Sequence, residues 1–262
     1  MHIIVTVKQV PDPDIPPSHF KVDEAARKVI PPTGVAPVMN GYDGNALEAA
    51  LKLKEATSGK VTVVTLGQSE ARDALKRAIA MGADSAVLID DQGVDKDDAL
   101  ATARVLAAAV TRIGGYDLVL GGRQASDTDG GQVILALGEL LGHPTVGPVI
   151  GIDPPAGGRV RVSRMIEDGS QVLDVAAPAV LAISSEIGEP RYPPLRGIMM
   201  AGRAQIPVWT AAELGVDGGS PKRTLTRLFV ETRDATCELI QADTADEAGA
   251  LLAERLREAK LI

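Results

Sequence analysis

Cysteine is almost missing from this sequence. A single residue, Cys237, in 262 positions leaves no partner for an internal disulfide and no thiolate cluster for a metal, which fits a reducing cytosol or mitochondrial matrix. Aromatic residues are equally scarce, at 2 %, so the chain alone offers little surface on which bases or flavin rings stack. Positive charge is in deficit. A net charge of -8 argues against nucleic acid as a main partner, because phosphate neutralisation needs a basic face. No apolar run is long enough to cross a bilayer. The opening MHIIVTVKQV lacks the basic and long apolar regions of a secretory signal and is expected to be a strand. Catalytic signatures are absent too: there is no G-x-S-x-G elbow, no G-x-G-x-x-G fingerprint and no P-loop lysine followed by Ser or Thr. His2, His19 and His143 show no ligand spacing, and the carboxylates sit mostly at caps and turns. These absences favour a binding or carrier protein over a hydrolase or transferase.

What is present is organised around Tyr116 to Gly142. Leu118-Val119-Leu120, bounded by Asp117 and Gly121-Gly122, has the continuous apolar character of a buried parallel strand. Val133 to Leu137 with Leu140-Leu141, ended by Gly142 and Pro144, predicts a buried helix with a glycine stop. The polar run Arg123 to Gln132 joins them. It lies at the carboxyl end of a strand and the amino end of a helix, where free backbone N–H groups and the helix dipole favour an anion. Gly130 and Gly131 allow close backbone approach, and Ser126, Thr128 and Gln132 offer polar side chains. Asp127 and Asp129 have an alternative role as helix caps.

Strands and helices alternate through the first 142 residues. Expected strands are His2–Val10, Val61–Leu66 and Ala86–Ile89; Phe20–Asp23 with Arg27–Ile30 predicts a small hairpin. Asn45 with Glu48 has capping-box spacing, Ser69 is placed to cap the next helix, and Asp97-Asp98 open another. This pattern predicts an α/β fold with a mostly parallel, doubly wound sheet and helices on both faces. Ligands on such sheets sit outside the carboxyl ends of the strands, here the loops Lys8–Asp14, Leu66–Ser69, Ile89–Gln92 and Arg123–Gln132. After Pro144 the pattern changes to an added antiparallel meander, with strands at Val146–Ile152, Arg159–Met165, Gln171–Val175 and Ala179–Ile183. Periodicity is lost over residues 184–205, where prolines, arginines and Ile198-Met199-Met200 suit either a docking surface or a covered loop. A polar link, Gly218 to Pro221, precedes an expected lone strand, Leu225–Val230, and a capped amphipathic helix from Thr244. The predicted organisation is a domain over 1–208 and a C-terminal arm with a helix over 209–262.

Several ordered stretches carry a resemblance. Val162-Ser163-Arg164-Met165-Ile166-Glu167-Asp168-Gly169-Ser170-Gln171-Val172-Leu173 followed by Pro178 to Ala182 combines a basic residue, an acidic-glycine turn and a proline-led strand at fixed spacing. Val7-Lys8-Gln9-Val10, Met39-Asn40, Ala80 to Asp84, Gly122 to Ala125, Glu189-Pro190-Arg191-Tyr192 with Leu195, and Leu214 to Asp217 accompany it. Almost end to end, the chain resembles the β subunit of electron-transfer flavoprotein, whose domain is Rossmann-like. The resemblance implies a heterodimer with an α subunit that holds most of the FAD contacts. It implies electron flow from acyl-CoA or other flavin dehydrogenases towards a quinone oxidoreductase, and no catalytic residues in this chain. It further implies a crevice holding AMP, formed by Thr6, Lys8, Asn40, Tyr42, Asp43, Leu66 and the run Gly122, Arg123, Gln124, Ala125, Ser126, Asp127, Thr128, Asp129, Gly130, Gly131, Gln132 and Val133, with Tyr42 approaching the flavin. A recognition loop for the dehydrogenase corresponds to Glu189, Pro190, Arg191, Tyr192, Leu195, Ile198 and Met199, with Leu195 as apolar anchor; the arm would lie on the α subunit.

One departure stands out. Many AMP-binding relatives read Asn-Gln-Thr-Gly where this chain reads Gly131-Gln132-Val133-Ile134. Flavin-bifurcating relatives, with a second FAD in the same crevice, often carry Gln-Val there. A second FAD is therefore the alternative to AMP. Two other readings compete: a stand-alone adenine-nucleotide protein of the universal-stress type, which the meander, loop and tail disfavour, and a nicotinamide oxidoreductase, which the missing glycine fingerprint disfavours.

Overall fold

The structure is a computed structural model and describes residues 1–216, 224–231 and 237–262. Strand β1 (His2–Thr6) is followed by β2 (Gln9–Val10), the hairpin β3 (Lys21–Asp23) and β4 (Lys28–Ile30), β5 (Val38–Met39) and helix α1 (Gly41–Thr57). Next come β6 (Lys60–Gly67), α2 (Arg72–Met81), β7 (Ser85–Asp90), α3 (Ala99–Ile113), β8 (Leu118–Gly122) and α4 (Val133–Leu141). The second half contains β9 (Thr145–Ile152), β10 (Arg159–Ile166), β11 (Gly169–Ala176), β12 (Ala179–Ile183), α5 (Leu195–Ala201), β13 (Val208–Thr210) and α6 (Ala245–Glu258).

A nine-stranded sheet runs in the order β11-β10-β9-β12-β8-β1-β6-β7-β13. Pairing is parallel from β9 through β13 and antiparallel only where β10 meets β9 and β11. The period-two geometry of the strands sorts the core between two faces. Ile3 and Val5 of β1, Leu118 and Leu120 of β8, and Leu181 and Ile183 of β12 pack with Leu47 and Leu51 of α1 and Leu75 of α2. Ile4, Val119 and Val180 point the other way, onto Val105 and Val110 of α3 and Leu137 of α4. Burial on both faces is why these strands are unbroken apolar runs, and each such side chain removed from water contributes roughly 1.5–3 kcal/mol. Asp98 caps α3 by accepting from the N–H groups of Leu100 and Ala101 at 2.9 and 3.2 Å. Gly142 ends α4 in the left-handed conformation, the glycine stop expected from the sequence.

Several local expectations are corrected. Asn45 and Glu48 form no capping box: α1 begins earlier, with Asn40 at its N-cap, and both side chains reach residues far along the chain. Ser69 does not cap α2; it opens a short 3-10 turn that runs straight into that helix. Leu225–Val230 forms no strand, since no sheet edge pairs with it and an unpaired strand leaves its backbone groups unsatisfied. The segment over 184–205 contains α5, too short to show helical periodicity. β13, a strand not expected from the sequence, pairs with β7 at the sheet edge.

Residues Met1–Leu228 form one compact unit and Phe229–Ile262 a second. In the second unit Thr244 and Glu247 form the expected capping box of α6. The link Gly218–Pro221 lies outside the described residues. Among the described residues, no helix is long and apolar enough to cross a membrane.

α5 packs against α2, and Gly197 is the point of closest approach: a Cβ there would lie 2.1 Å from the Ala80 carbonyl oxygen. Gly197→Ala is therefore expected to lift α5 from α2, an overpacking effect of about 1–3 kcal/mol. Amide hydrogen exchange should show faster exchange at residues 198–204 with the sheet core unchanged; unaltered protection there would contradict this packing.

Candidate functional site: a crevice at the strand ends

The chain leaves β1 for β6 and β7 on one side of it, then crosses to β8 on the other, so the strand order reverses at β1. Open α/β sheets bind ligands at such a switch point. A crevice of about 160 Å³ lies there, at the carboxyl ends of β1, β6 and β8. All the residues of the expected nucleotide site line it except Tyr42, Ser126, Asp127 and Asp129.

Asn40 and Asp43 build the crevice wall, both almost fully buried. The β1–β8 ladder ends at Thr6 and Gly121, so the N–H groups just beyond it need other acceptors. Asp43 supplies both: Oδ2 accepts from Lys8 N and Oδ1 from Gly122 N, each at 2.8 Å. Gly122 is required by this approach, because a Cβ would meet Asp43 Oδ1 and Tyr42 Cβ at 2.6 Å. Asn40 holds the next turn, donating from Nδ2 to Gln124 O at 2.8 Å and accepting from Ser126 N at 3.2 Å. Lys8 ties Asp127 at 2.6 Å, and Gln124 donates to Asp129. Neither aspartate caps α4. Gln132 holds the N-cap position without a side-chain hydrogen bond, which leaves the first N–H groups of α4 facing the crevice without a capping acceptor.

Arg123 lies over the Tyr42 ring at 5.1 Å, and its Nη2 donates to the Tyr42 hydroxyl at 3.3 Å. Its Nε is buried without a partner. Tyr42 thus stands behind Arg123 rather than in the crevice wall. The far wall is not encoded by any local pattern: Lys96, Asp97, Ala99, Thr102 and Leu106 come from the loop before α3 and from α3 itself, and Val7, just past β1, and Ile134 of α4 complete the lining. Asp97-Asp98 as a helix start was the only available signal. Of the expected Ile89–Gln92 loop no residue lines the crevice. This arrangement can receive an anion on uncapped N–H groups of α4 and seat a flat ligand against an apolar wall. Among the described residues, no group of His, Cys, Asp or Glu could hold a metal.

The expected recognition segment lies elsewhere. Glu189, Pro190 and Arg191 run against α1, while Tyr192 is 88 % exposed and Leu195, which opens α5, is 75 % exposed. Ile198 and Met199 are exposed beside them. Of the two alternatives for this stretch, the apolar side chains are outward.

The family model of the electron transfer flavoprotein domain matches residues 29–214. The chain is 36 % identical to the electron transfer flavoprotein subunit beta of Thermoanaerobacterium thermosaccharolyticum, over 90 % of each chain. It belongs to the electron-transfer flavoprotein β-subunit family. It is also 35 % identical to the caffeyl-CoA reductase-Etf complex subunit CarD of Acetobacterium woodii, over the whole of both chains. To Protein FixA of Azorhizobium caulinodans it is 34 % identical, over 97 % of this chain and 93 % of the other. Subunits of this family carry electrons rather than catalyse a reaction of their own, and their naming implies an α-subunit partner.

Burial pushes the Asp43 carboxyl up to about 6, against the pull of the hydrogen bonds from Lys8, Gly122 and Asn40. A carboxyl raised from 3.8 binds a proton in the folded chain that the unfolded chain releases, so stability falls as pH rises from about 4 to about 6 and is flat above. Asp43→Asn turns an NH2 group towards a backbone N–H and is expected to cost about 1–3 kcal/mol at pH 7. Urea unfolding should show the gap to wild type widening by about 1 kcal/mol at pH 5, as protonation relieves only the wild type. A gap that narrows at pH 5 would contradict the raised carboxyl.

Proposed function

We propose that this chain is the β subunit of a heterodimeric electron-transfer flavoprotein, carrying electrons from acyl-CoA or other flavin dehydrogenases towards a quinone oxidoreductase. The electron-carrying FAD is held mainly by the α subunit, and this chain's crevice holds an adenine nucleotide, AMP in the first reading. The observation that carries the nucleotide assignment is the uncapped amino end of α4, set at the switch point beside Gly130 and Gly131. The residues present fit such a group. Backbone N–H groups at Val133 and beyond would take the phosphate, Asn40 and Asp43 fix the turn that frames it, and Leu66 with Leu106 exclude water from the base. The buried, unpartnered Nε of Arg123 gives a further donor beside this wall. FAD, where bound, supplies the redox chemistry of the complex. What this chain does is bind, orient and shield.

A second FAD in the crevice is the other reading. Gln132 and Val133 both line it, and a Cβ at Gly130 would meet nothing within 4 Å, which leaves room for a pyrophosphate. The exposed Tyr192, Leu195, Ile198 and Met199 are proposed as the surface offered to the dehydrogenase, and the tail of the C-terminal arm, after about residue 225, as the part that lies on the α subunit.

Denaturing the purified heterodimer and counting released nucleotides separates these readings. One FAD and one AMP per dimer is the expected result. Two FAD would support the second reading, and one FAD with no other nucleotide would overturn the crevice as a nucleotide site.

A further inference from the structure

Arg191 makes five hydrogen bonds to carboxylates, and all of them go to one helix. Its Nε and backbone N–H donate to Glu48 Oε2 at 2.8 and 3.0 Å, and Nη2 to Glu48 Oε1 at 3.0 Å. Nη1 and Nη2 also reach the Glu55 carboxylate, the latter at 3.3 Å. Glu48 is 5 % exposed, so this fork of bonds works in a poorly solvated site where charged hydrogen bonds are strong. Two neighbours reinforce it. Asn45 Nδ2 donates to Gly188 O at 2.8 Å, and Pro190 lies so close to Gly44 that a Cβ there would sit 3.2 Å from its ring. Gly44, Asn45, Glu48 and Glu55 all belong to α1, the helix whose N-cap and first turn carry Asn40 and Asp43 of the crevice.

The segment is anchored again at Gly197, against α2. Between the two anchors stand Tyr192 and Leu195, the most exposed apolar side chains of the segment. We propose that Arg191 is a positioning residue for electron delivery: locked to Glu48 and Glu55, it fixes the bridge between α1 and α2 so that Tyr192 and Leu195 are presented to the dehydrogenase in one conformation. This rests on the reading of that segment as the dehydrogenase-facing surface. Pre-ordering such a bridge removes an entropic cost from docking, so the effect falls on affinity. Arginine is needed because a lysine ammonium cannot hold two carboxylates in a planar fork.

The test uses the whole heterodimer, reduced by an acyl-CoA dehydrogenase with octanoyl-CoA as the probe. Arg191→Lys is expected to raise KM for the heterodimer about fivefold or more and to lower the thermal midpoint somewhat, with kcat at saturation and flavin content unchanged. Glu55→Gln, which removes the exposed half of the clamp, should give a smaller rise. Leu195→Ala tests the underlying reading alone. If Leu195→Ala raises KM and Arg191→Lys does not, the positioning role is overturned while the docking surface stands. If Arg191→Lys lowers flavin content or the thermal midpoint and leaves KM unchanged, its role is stability only and the proposal fails. If Leu195→Ala changes nothing, or the wild-type heterodimer is not reduced, the docking surface falls and the inference with it.

Discussion

The site depends on one buried carboxylate. Asp43 accepts the backbone N–H of Lys8 and that of Gly122, the first donors on the facing edges of the two strands beyond the Thr6–Gly121 pair; Val7 N–H, between Thr6 and Lys8, goes to Val64 O on the other side. Two parallel strands that part company must each leave such a donor without a ladder partner, and in a buried crevice each orphan costs about 1–3 kcal/mol. The carboxylate meets both with one side chain and so sets the spacing of the two strand ends. Its own cost is desolvation, visible in the carboxyl raised to about 6. The choice of Gly at 122 follows from the same approach, since a Cβ there would collide with Asp43 and Tyr42.

α1 extends that constraint along the molecule. Its first turn fixes the crevice through Asn40 and Asp43; further along, Asn45, Glu48 and Glu55 hold residues 188–191. A helix is stiff over this length, so the crevice and the exposed segment share one rigid element rather than two loops. This explains why Asp43, Asn45 and Glu48 of α1, and Asn40 at its N-cap, are four buried polar residues in a helix otherwise packed by Leu47, Leu51 and Leu53. Each of the four has a partner distant in sequence, as buried polar groups require.

The central strands and helices were legible because burial on both faces writes long apolar runs, as in Leu118–Leu120, and because caps such as Asp98 and stops such as Gly142 are local signals. Most of the near wall of the crevice was legible for the same reason: the turn 123–132 is adjacent in sequence to the strand and helix that frame it. The far wall was not, since Lys96 and Thr102 reach it by a crossover to the other face of the sheet, which no local pattern encodes. Asn45 and Glu48 had the spacing of a capping box, yet their partners are Gly188 and Arg191, more than 140 positions away. β13 and α5 were missed for want of length, three and seven residues giving no period to detect. Leu225–Val230 had a strand's composition without a neighbour to pair with. The family motif at Glu189–Leu195 marked the segment; only the structure connected it to α1.

A single ionisable group joins the ends of β1 and β8. Carbon-13 NMR of the Asp43 carboxyl, followed from pH 3 to pH 8 with the amide protons of Lys8 and Gly122, tests it directly. A carboxyl midpoint near 6 is expected, with both amide protons shifting along the same titration curve because both are bonded to that carboxylate. A carboxyl that titrates near 4, or amide protons that ignore its titration, would contradict it.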